Sequence, residues 1–266
     1  MKDVITVKAW KRPGRLKKVL DALYSNEHIE EFDVYVFIDP SPKDAEHRKL
    51  MANYDCTWTM NEKKRGCAGN TKECFRVAFD VHEAEFMVHL EDDSVPAPDF
   101  LSLMLWAKPH LETTECLFSV GGGRPKRELG YQGLPKERLE DVVLIDSFAC
   151  QFGWGMVRRV YEEMKEAGGI FGAIGNVSVN LEPNAWKKQV QLGPNGSWAW
   201  PFNKFFKRGR QNLIPYINRA QNIGDSRGVF TPSPQWHMRE VFTKTWTGAL
   251  EQDEISHKFN LCETES

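Results

Sequence analysis

The sequence predicts an α/β fold built on a mostly parallel sheet with helices on both faces. Three observations carry that expectation. Val34-Tyr35-Val36-Phe37-Ile38 and Phe86-Met87-Val88-His89-Leu90 are nearly continuous apolar runs of strand length, the pattern of strands buried on both faces. Segments of helical spacing alternate with such runs, as in sheets whose parallel strands are joined by crossover helices. The chain has 266 residues, enough for one large unit with a true core and few for two.

The elements follow in order. Ile5 to Ala9 is a short β-prone run, broken by Arg12-Pro13-Gly14. Leu16, Val19, Leu20 and Leu23 then recur at the spacing of an amphipathic helix. The strand at 34–38 ends in the turn Asp39-Pro40-Ser41-Pro42. A helix is expected from about Lys43 to Ala52 and a short strand from Thr57 to Met60. A further helix is expected from Asn70 to His82, with Cys74, Val77, Ala78 and Val81 on one face. Pro98-Asp99 offers a helix start, and after Phe100 the pattern loosens. Leu117–Val120 and Val142–Ile145 read as strands, separated by Gly121-Gly122-Gly123 and a polar loop to Glu140. Val157 to Ala167 reads as a helix. From Gly168 to Gln235 Gly, Asn, Pro and Trp are dense, which predicts an irregular layer over the sheet edge and not a second domain.

Composition excludes several classes. A hydrophobic fraction of 41% with 27% charged residues is globular and argues against disorder. A net charge of −2 advertises no nucleic-acid or membrane partner globally. Lys2, Asp3 and Lys8 interrupt any leader-like run, and no stretch reaches the roughly 18 apolar residues of a membrane span. A cytoplasmic protein is expected, in host cytoplasm if the source is a virus; a longer membrane-anchored parent stays open. The six cysteines form no C-x-x-C pair and read as thiols of a reducing compartment.

Glu91-Asp92-Asp93 directly follows the strand at 86–90. Open α/β sheets bind ligands beyond the carboxyl ends of their strands. Three successive carboxylates repel one another unless a cation offsets them. A hard divalent ion does this with carboxylate and diphosphate oxygens, and neutralises charge on a departing nucleotide. A solvated acidic loop or a helix cap explains the same residues without a ligand.

Leu90-Glu91-Asp92-Asp93-Ser94-Val95-Pro96-Ala97-Pro98-Asp99-Phe100-Leu101 resembles the acidic signature of GT-A glycosyltransferases. It is similar both to bacterial members and to the N-acetylglucosaminyltransferase that initiates hybrid and complex N-glycans. Ala9-Trp10-Lys11-Arg12-Pro13, Phe37-Ile38-Asp39, Phe152-Gly153-Trp154-Gly155, and Gln221-Asn222-Ile223-Gly224 followed by His237 resemble further segments of that family in the same order. The resemblance covers most of the chain. It implies a Rossmann-like GT-A fold with a mixed, mostly parallel sheet and an irregular C-terminal acceptor-side layer. In that reading 1–266 is one domain, with 1–100 the nucleotide-sugar half and 101–266 the acceptor side.

The resemblance also implies roles. Arg12 and Asp39 contact the nucleotide base and its surroundings, Asp92 lies near the ribose, and Trp154 belongs to the donor site. Asp93 binds Mn²⁺ or Mg²⁺, with Glu91 and His237 as further ligands. Apart from the resemblance, the loop Gly121-Gly122-Gly123-Arg124 is expected to be flexible enough for Arg124 to reach the donor. The donor is a nucleotide diphosphate sugar, with UDP the nucleotide of similar enzymes. Related inverting enzymes carry an acid after a tryptophan as catalytic base; in Ser197-Trp198-Ala199-Trp200 that place holds Ala199, which takes no proton. Asp146 and Asp225 are the candidate bases, and a retaining mechanism or a different alignment stays open. Trp198 and Trp200 suit stacking on an acceptor. Lys207 and Arg208, in a basic aromatic stretch, suit an anionic one, or form a solvated basic face. Lys63-Lys64-Arg65 is a second basic run, placed near the donor phosphates.

The expected activity is metal-dependent transfer of a sugar to a hydroxyl, on a glycan or on a hydroxylated DNA base. Two alternatives remain. A sugar nucleotidyltransferase also places carboxylates on a metal, but Lys11-Arg12-Pro13-Gly14-Arg15 lacks the glycine run such enzymes carry after the first strand. A binder that has lost activity would account for Ala199.

Overall fold

The computed structural model describes residues 2–123, 142–146, 152–166, 210–224 and 260–263. In chain order the elements are β1 (Asp3–Trp10), α1 (Pro13–Tyr24), β2 (Phe32–Asp39), α2 (Asp44–Met51), β3 (Thr57–Met60) and α3 (Gly66–Phe75), which runs into a π-helical segment (Arg76–Val81). Then come β4 (Phe86–Glu91), β5 (Ser94–Pro96), α4 (Phe100–Thr113), β6 (Leu117–Gly121), β7 (Val142–Asp146) and β8 (Trp154–Val157). The last are α5 (Arg158–Glu166), β9 (Gln211–Pro215), β10 (Ala220–Asn222) and β11 (Asn260–Glu263). No helix among the described residues is long and apolar enough to cross a membrane.

Nine strands form one sheet in the order β11-β7-β9-β6-β8-β4-β1-β2-β3, and β5 and β10 form a separate antiparallel ribbon. Five pairings of the large sheet are parallel and three antiparallel, so the mixed, mostly parallel expectation holds. β1 pairs with β2 on one side and β4 on the other, both parallel. The strand order therefore reverses between β1 and β4, which opens a crevice at their carboxyl ends.

Helices cover both faces. Trp154 and its neighbour Gly155 point to opposite faces of β8. The Trp154 ring packs on Phe75 of α3, whereas a Cβ on Gly155 would meet Met104 of α4 and the Phe86 ring. Tyr161 of α5 stacks on Phe75 and Phe79, which puts α5 with α3. Asn26, just beyond α1, accepts from the Leu101 amide at 3.1 Å, which sets the end of α1 against the start of α4. Leu16, Val19, Leu20 and Leu23 of α1 are fully buried, as their spacing predicts.

Several elements differ from expectation for identifiable reasons. The Asn70–His82 helix starts earlier, at Gly66, and changes to π geometry at Arg76. His82 N–H bonds to the Val77 carbonyl, five residues back, at 3.0 Å. The wider turn rotates Val81 outward to 52% exposure and turns Phe79 into the core. α4 had only its start foreseen, because Phe100–Leu111 is apolar nearly all round and shows no amphipathic period. Within the expected irregular layer, β9 instead enters the main sheet between β6 and β7. The Gly121–Gly123 run is a place of close packing and not a loose loop. A Cβ on Gly122 would sit 2.7 Å from that of Ala220, and one on Gly123 would sit 2.5 Å from the Asn218 amide oxygen.

Candidate functional site

Arg12 and the acidic cluster meet at the crevice between β1 and β4. Arg12 is the second residue after β1 and the one before α1, whose first position is Pro13. Its Nε donates to Asp92 Oδ2 at 3.2 Å and its Nη2 to Asp92 Oδ1, a two-pronged grip. Its Nη1 lies 2.9 Å from Asp93 Oδ2. The Trp10 amide adds a third donor to Asp92, at 3.1 Å. Burial pushes both aspartate carboxyls above the usual carboxylate range, and Arg12 pulls them back. Among the described residues no group bonds the second oxygen of Asp93, and that side chain keeps 12% of its surface.

Glu91 faces the other way. Successive residues at a strand end alternate sides, and Glu91 Oε1 pairs with Lys8 Nζ at 3.0 Å. Lys8 is buried on the α3 side, where it also donates to Thr71 Oγ1 at 2.8 Å and to Cys67 Sγ at 3.0 Å. Burial pulls its ammonium down, but Cys67 and Glu91 outweigh that and hold it above the ordinary lysine value. Glu91 is thus corrected from metal ligand to partner of Lys8. Among the described residues, the one group of three possible ligand atoms that converges is His28, Glu30 and Glu31, ahead of β2 at the opposite end of the sheet. The three acids of the cluster do not converge.

Asp39 is corrected as well. It is 1% exposed, with Oδ1 accepting from Asn61 Nδ2 and the Arg65 amide at 2.9 Å each, and Oδ2 accepting from the Gly66 amide at 2.7 Å. The end of β2 thereby fastens the start of α3, where Gly66 holds a φ of 73°. Trp154 is a core residue at 1% exposure, packed between Phe75 and His89, and does not face the crevice. Asp146 ends β7, which runs antiparallel to β9, while β9 runs parallel to β6. β6 and β4 flank β8 antiparallel to it, so β7 opposes β4. Asp146 therefore lies at the amino ends of β1 and β4, four strands from the cluster, and cannot serve as its base. Asp225, Arg124, Trp198, Trp200, Lys207, Arg208 and His237 lie outside the described residues.

The crevice gathers further residues from distant parts of the sequence. Lys11 Nζ and Lys64 Nζ lie over the Trp10 ring, 3.7 and 3.8 Å from its centroid. The Ile223 amide donates to the Asp93 carbonyl at 2.8 Å, and Asn222 pairs with Ser94 across the β5–β10 ribbon. Two motifs quoted apart in the sequence, the acidic signature and Gln221-Asn222-Ile223-Gly224, are thus in contact. Behind the ribbon, Arg219 Nε donates to Asp99 Oδ2 at 2.9 Å, with both side chains at 0% exposure. Only a pairing of Asp99 with a basic residue 120 positions away would have shown that contact in advance.

No protein-family model and no curated protein sequence matches the chain. Solved structures do resemble it. One structural neighbour was solved with UDP-GlcNAc. That is TarS 1–349 from S. aureus, at 14% identity and a TM-score of 0.43, covering 62% of this chain and 48% of that one. The glycosyltransferase GlyE of Streptococcus pneumoniae TIGR4, in its apo form, aligns at 10% identity and a TM-score of 0.41, over 80% of this chain and 45% of that one. A 4-diphosphocytidyl-2C-methyl-D-erythritol synthase from Anaerococcus prevotii aligns at 11% and 0.43, over 80% and 88%. The chain spans about half the length of the TarS and GlyE structures. At these identities the likeness concerns the backbone alone.

A divalent ion needs carboxylate oxygens that are not already committed. Arg12 sits against both oxygens of Asp92, Glu91 is turned to Lys8, and Asp93 has one oxygen that Arg12 does not contact. That set fits an ion held chiefly by substrate phosphates, as Mg²⁺-type sites are, and not a closed protein cage.

Proposed function

We propose that the chain transfers a sugar from a nucleotide diphosphate sugar, with UDP as the nucleotide, to an acceptor hydroxyl. The observation that carries this reading is the meeting of Arg12 with Asp92 and Asp93 at the carboxyl ends of β1 and β4, where the strand order reverses. Arg12 suits a diphosphate, because its planar fork matches phosphate oxygens. The Trp10 ring holds Lys11 and Lys64 against it, and these add positive charge near the end of β1. Asp93, with the diphosphate, would hold Mn²⁺ or Mg²⁺, which supplies charge neutralisation to the leaving nucleotide.

The β1–α1 connection consists of Lys11 and Arg12 alone. It is too short to wrap a triphosphate, which favours sugar transfer over nucleotidyl transfer. On this proposal Asp225 acts as the base, Arg124 and His237 assist at the diphosphate, and Trp198, Trp200, Lys207 and Arg208 meet a glycan or a hydroxylated DNA base.

Thermal stabilisation by nucleoside diphosphates, with and without Mn²⁺, tests the donor site. A ligand at 100 times its dissociation constant adds about 2.7 kcal/mol. Stabilisation by UDP that grows with metal supports the proposal. Stabilisation by none of the diphosphates sinks it, and turnover of a sugar 1-phosphate with a nucleoside triphosphate would replace it by nucleotidyl transfer.

A further inference from the structure

We infer that Arg12 is the built-in counter-cation of Asp92 and Asp93, and that it keeps a divalent ion off them until a nucleotide diphosphate arrives. The inference rests on the donor-site reading above for the identity of the arriving ligand. One guanidinium uses all three of its nitrogens on the two carboxylates. Its positive charge lies against both oxygens of Asp92 and one of Asp93, so a second cation meets only one carboxylate oxygen of the pair that the guanidinium does not touch. Divalent ions of the Mg²⁺ class bind through one or two carboxylates completed by substrate phosphates, and rarely through so little protein alone.

The arginine is also placed to let go. Its side chain is 33% exposed, whereas those of Asp92 and Asp93 are 4% and 12% exposed. Its backbone is anchored independently of its side chain, since the Arg12 carbonyl accepts the Arg15 and Leu16 amides at 3.0 Å each and starts α1. The guanidinium can therefore swing without disturbing the helix. A diphosphate offers it a partner of the same two-pronged geometry. As Arg12 turns from carboxylate to phosphate, Asp92 and Asp93 become available to a metal, and the metal gains phosphate oxygens at the same moment. Nucleotide and ion then enter together, with the exchange of one cation for another at Asp93 as the linking event.

The test is Mn²⁺ binding to the full chain, read by electron paramagnetic resonance of the free ion. Without nucleotide, wild type should bind Mn²⁺ no tighter than about 1 mM. Arg12→Gln, which removes the cation and keeps a polar side chain, should bind it at least about tenfold tighter. Arg12→Lys, which keeps the charge but cannot grip both carboxylates, should fall between the two. Addition of UDP should create a Mn²⁺ site in wild type. Micromolar Mn²⁺ binding by nucleotide-free wild type overturns the inference, as does Arg12→Gln binding no tighter than wild type. If Arg12→Gln does not fold, wild type and Arg12→Lys decide the matter between them. Failure of the donor-site reading shows separately, as the absence of any thermal shift with nucleoside diphosphates, and leaves the nucleotide-free titrations decisive for Arg12.

Discussion

Arg12 with Asp92 and Asp93, and Arg219 with Asp99, are two clusters of the same chemistry in different surroundings. Arg219 and Asp99 are completely buried, and Arg219 also donates from Nη1 to the Ile217 carbonyl at 2.7 Å. Arg12 is a third exposed, and its cluster keeps an open oxygen on Asp93. A closed pair can only hold the fold together, because no ligand reaches it. An open pair pays for its exposure in stability and gains the ability to exchange partners. The difference separates architecture from site more sharply than residue type does.

Breaking the closed pair should have the largest effect. Arg219→Ala leaves Asp99 buried without its cation and should cost about 3–5 kcal/mol in urea unfolding. Arg12→Ala should cost clearly less, because its partners are nearer solvent; equal losses would erase the distinction drawn between the two clusters. Next comes activity. Asp93→Asn should lower turnover about a hundredfold or more while the melting temperature stays near that of wild type. Full activity in that variant at saturating Mn²⁺ would remove Asp93 from the site. Asp39→Ala, which loses the fastening of α3, should cost about 1–2 kcal/mol. A matching drop in UDP binding without any change in stability would instead return Asp39 to the donor site.

A pH dependence tests the closed pair from another side. Burial pushes the Asp99 carboxyl up to about 6 against the pull of Arg219. The folded protein therefore holds this proton more tightly than the unfolded chain, where aspartate titrates near about 3.9. Its contribution to stability is complete below about pH 4 and is lost as pH rises through about 6. The melting temperature of wild type relative to Asp99→Asn, measured across that window, should fall with rising pH. A difference that stays level would show that Asp99 is solvated in the folded protein.

Much of the fold was legible because it rests on local periodicity. The apolar runs at 34–38 and 86–90 became β2 and β4, and the Leu16-Val19-Leu20-Leu23 stripe became the inner face of α1. The acidic cluster was legible for the same reason, since its place after a buried strand is a local fact. What stayed hidden depends on partners distant in sequence. Nothing around Asp39 says that its oxygens go to Asn61, Arg65 and Gly66, and nothing around Glu91 names Lys8. Asp146 misled because a strand's direction in a mixed sheet is set by its neighbours and not by its own residues. The π segment was invisible because hydrophobic spacing at 74–81 assumes a uniform helical turn.

The β5–β10 ribbon has a consequence for how the molecule assembles. It ties Asp93 to Ile223 and Asp99 to Arg219, and the latter pair is separated by 120 residues of chain. Contacts this distant form only after the entropy of closing a long loop has been overcome. During synthesis the strands β1 to β4 emerge and can pair well before Arg219 leaves the ribosome. The acidic cluster and the crevice between β1 and β4 are thus made early, and the contacts from Arg219 and Ile223 are added to them late.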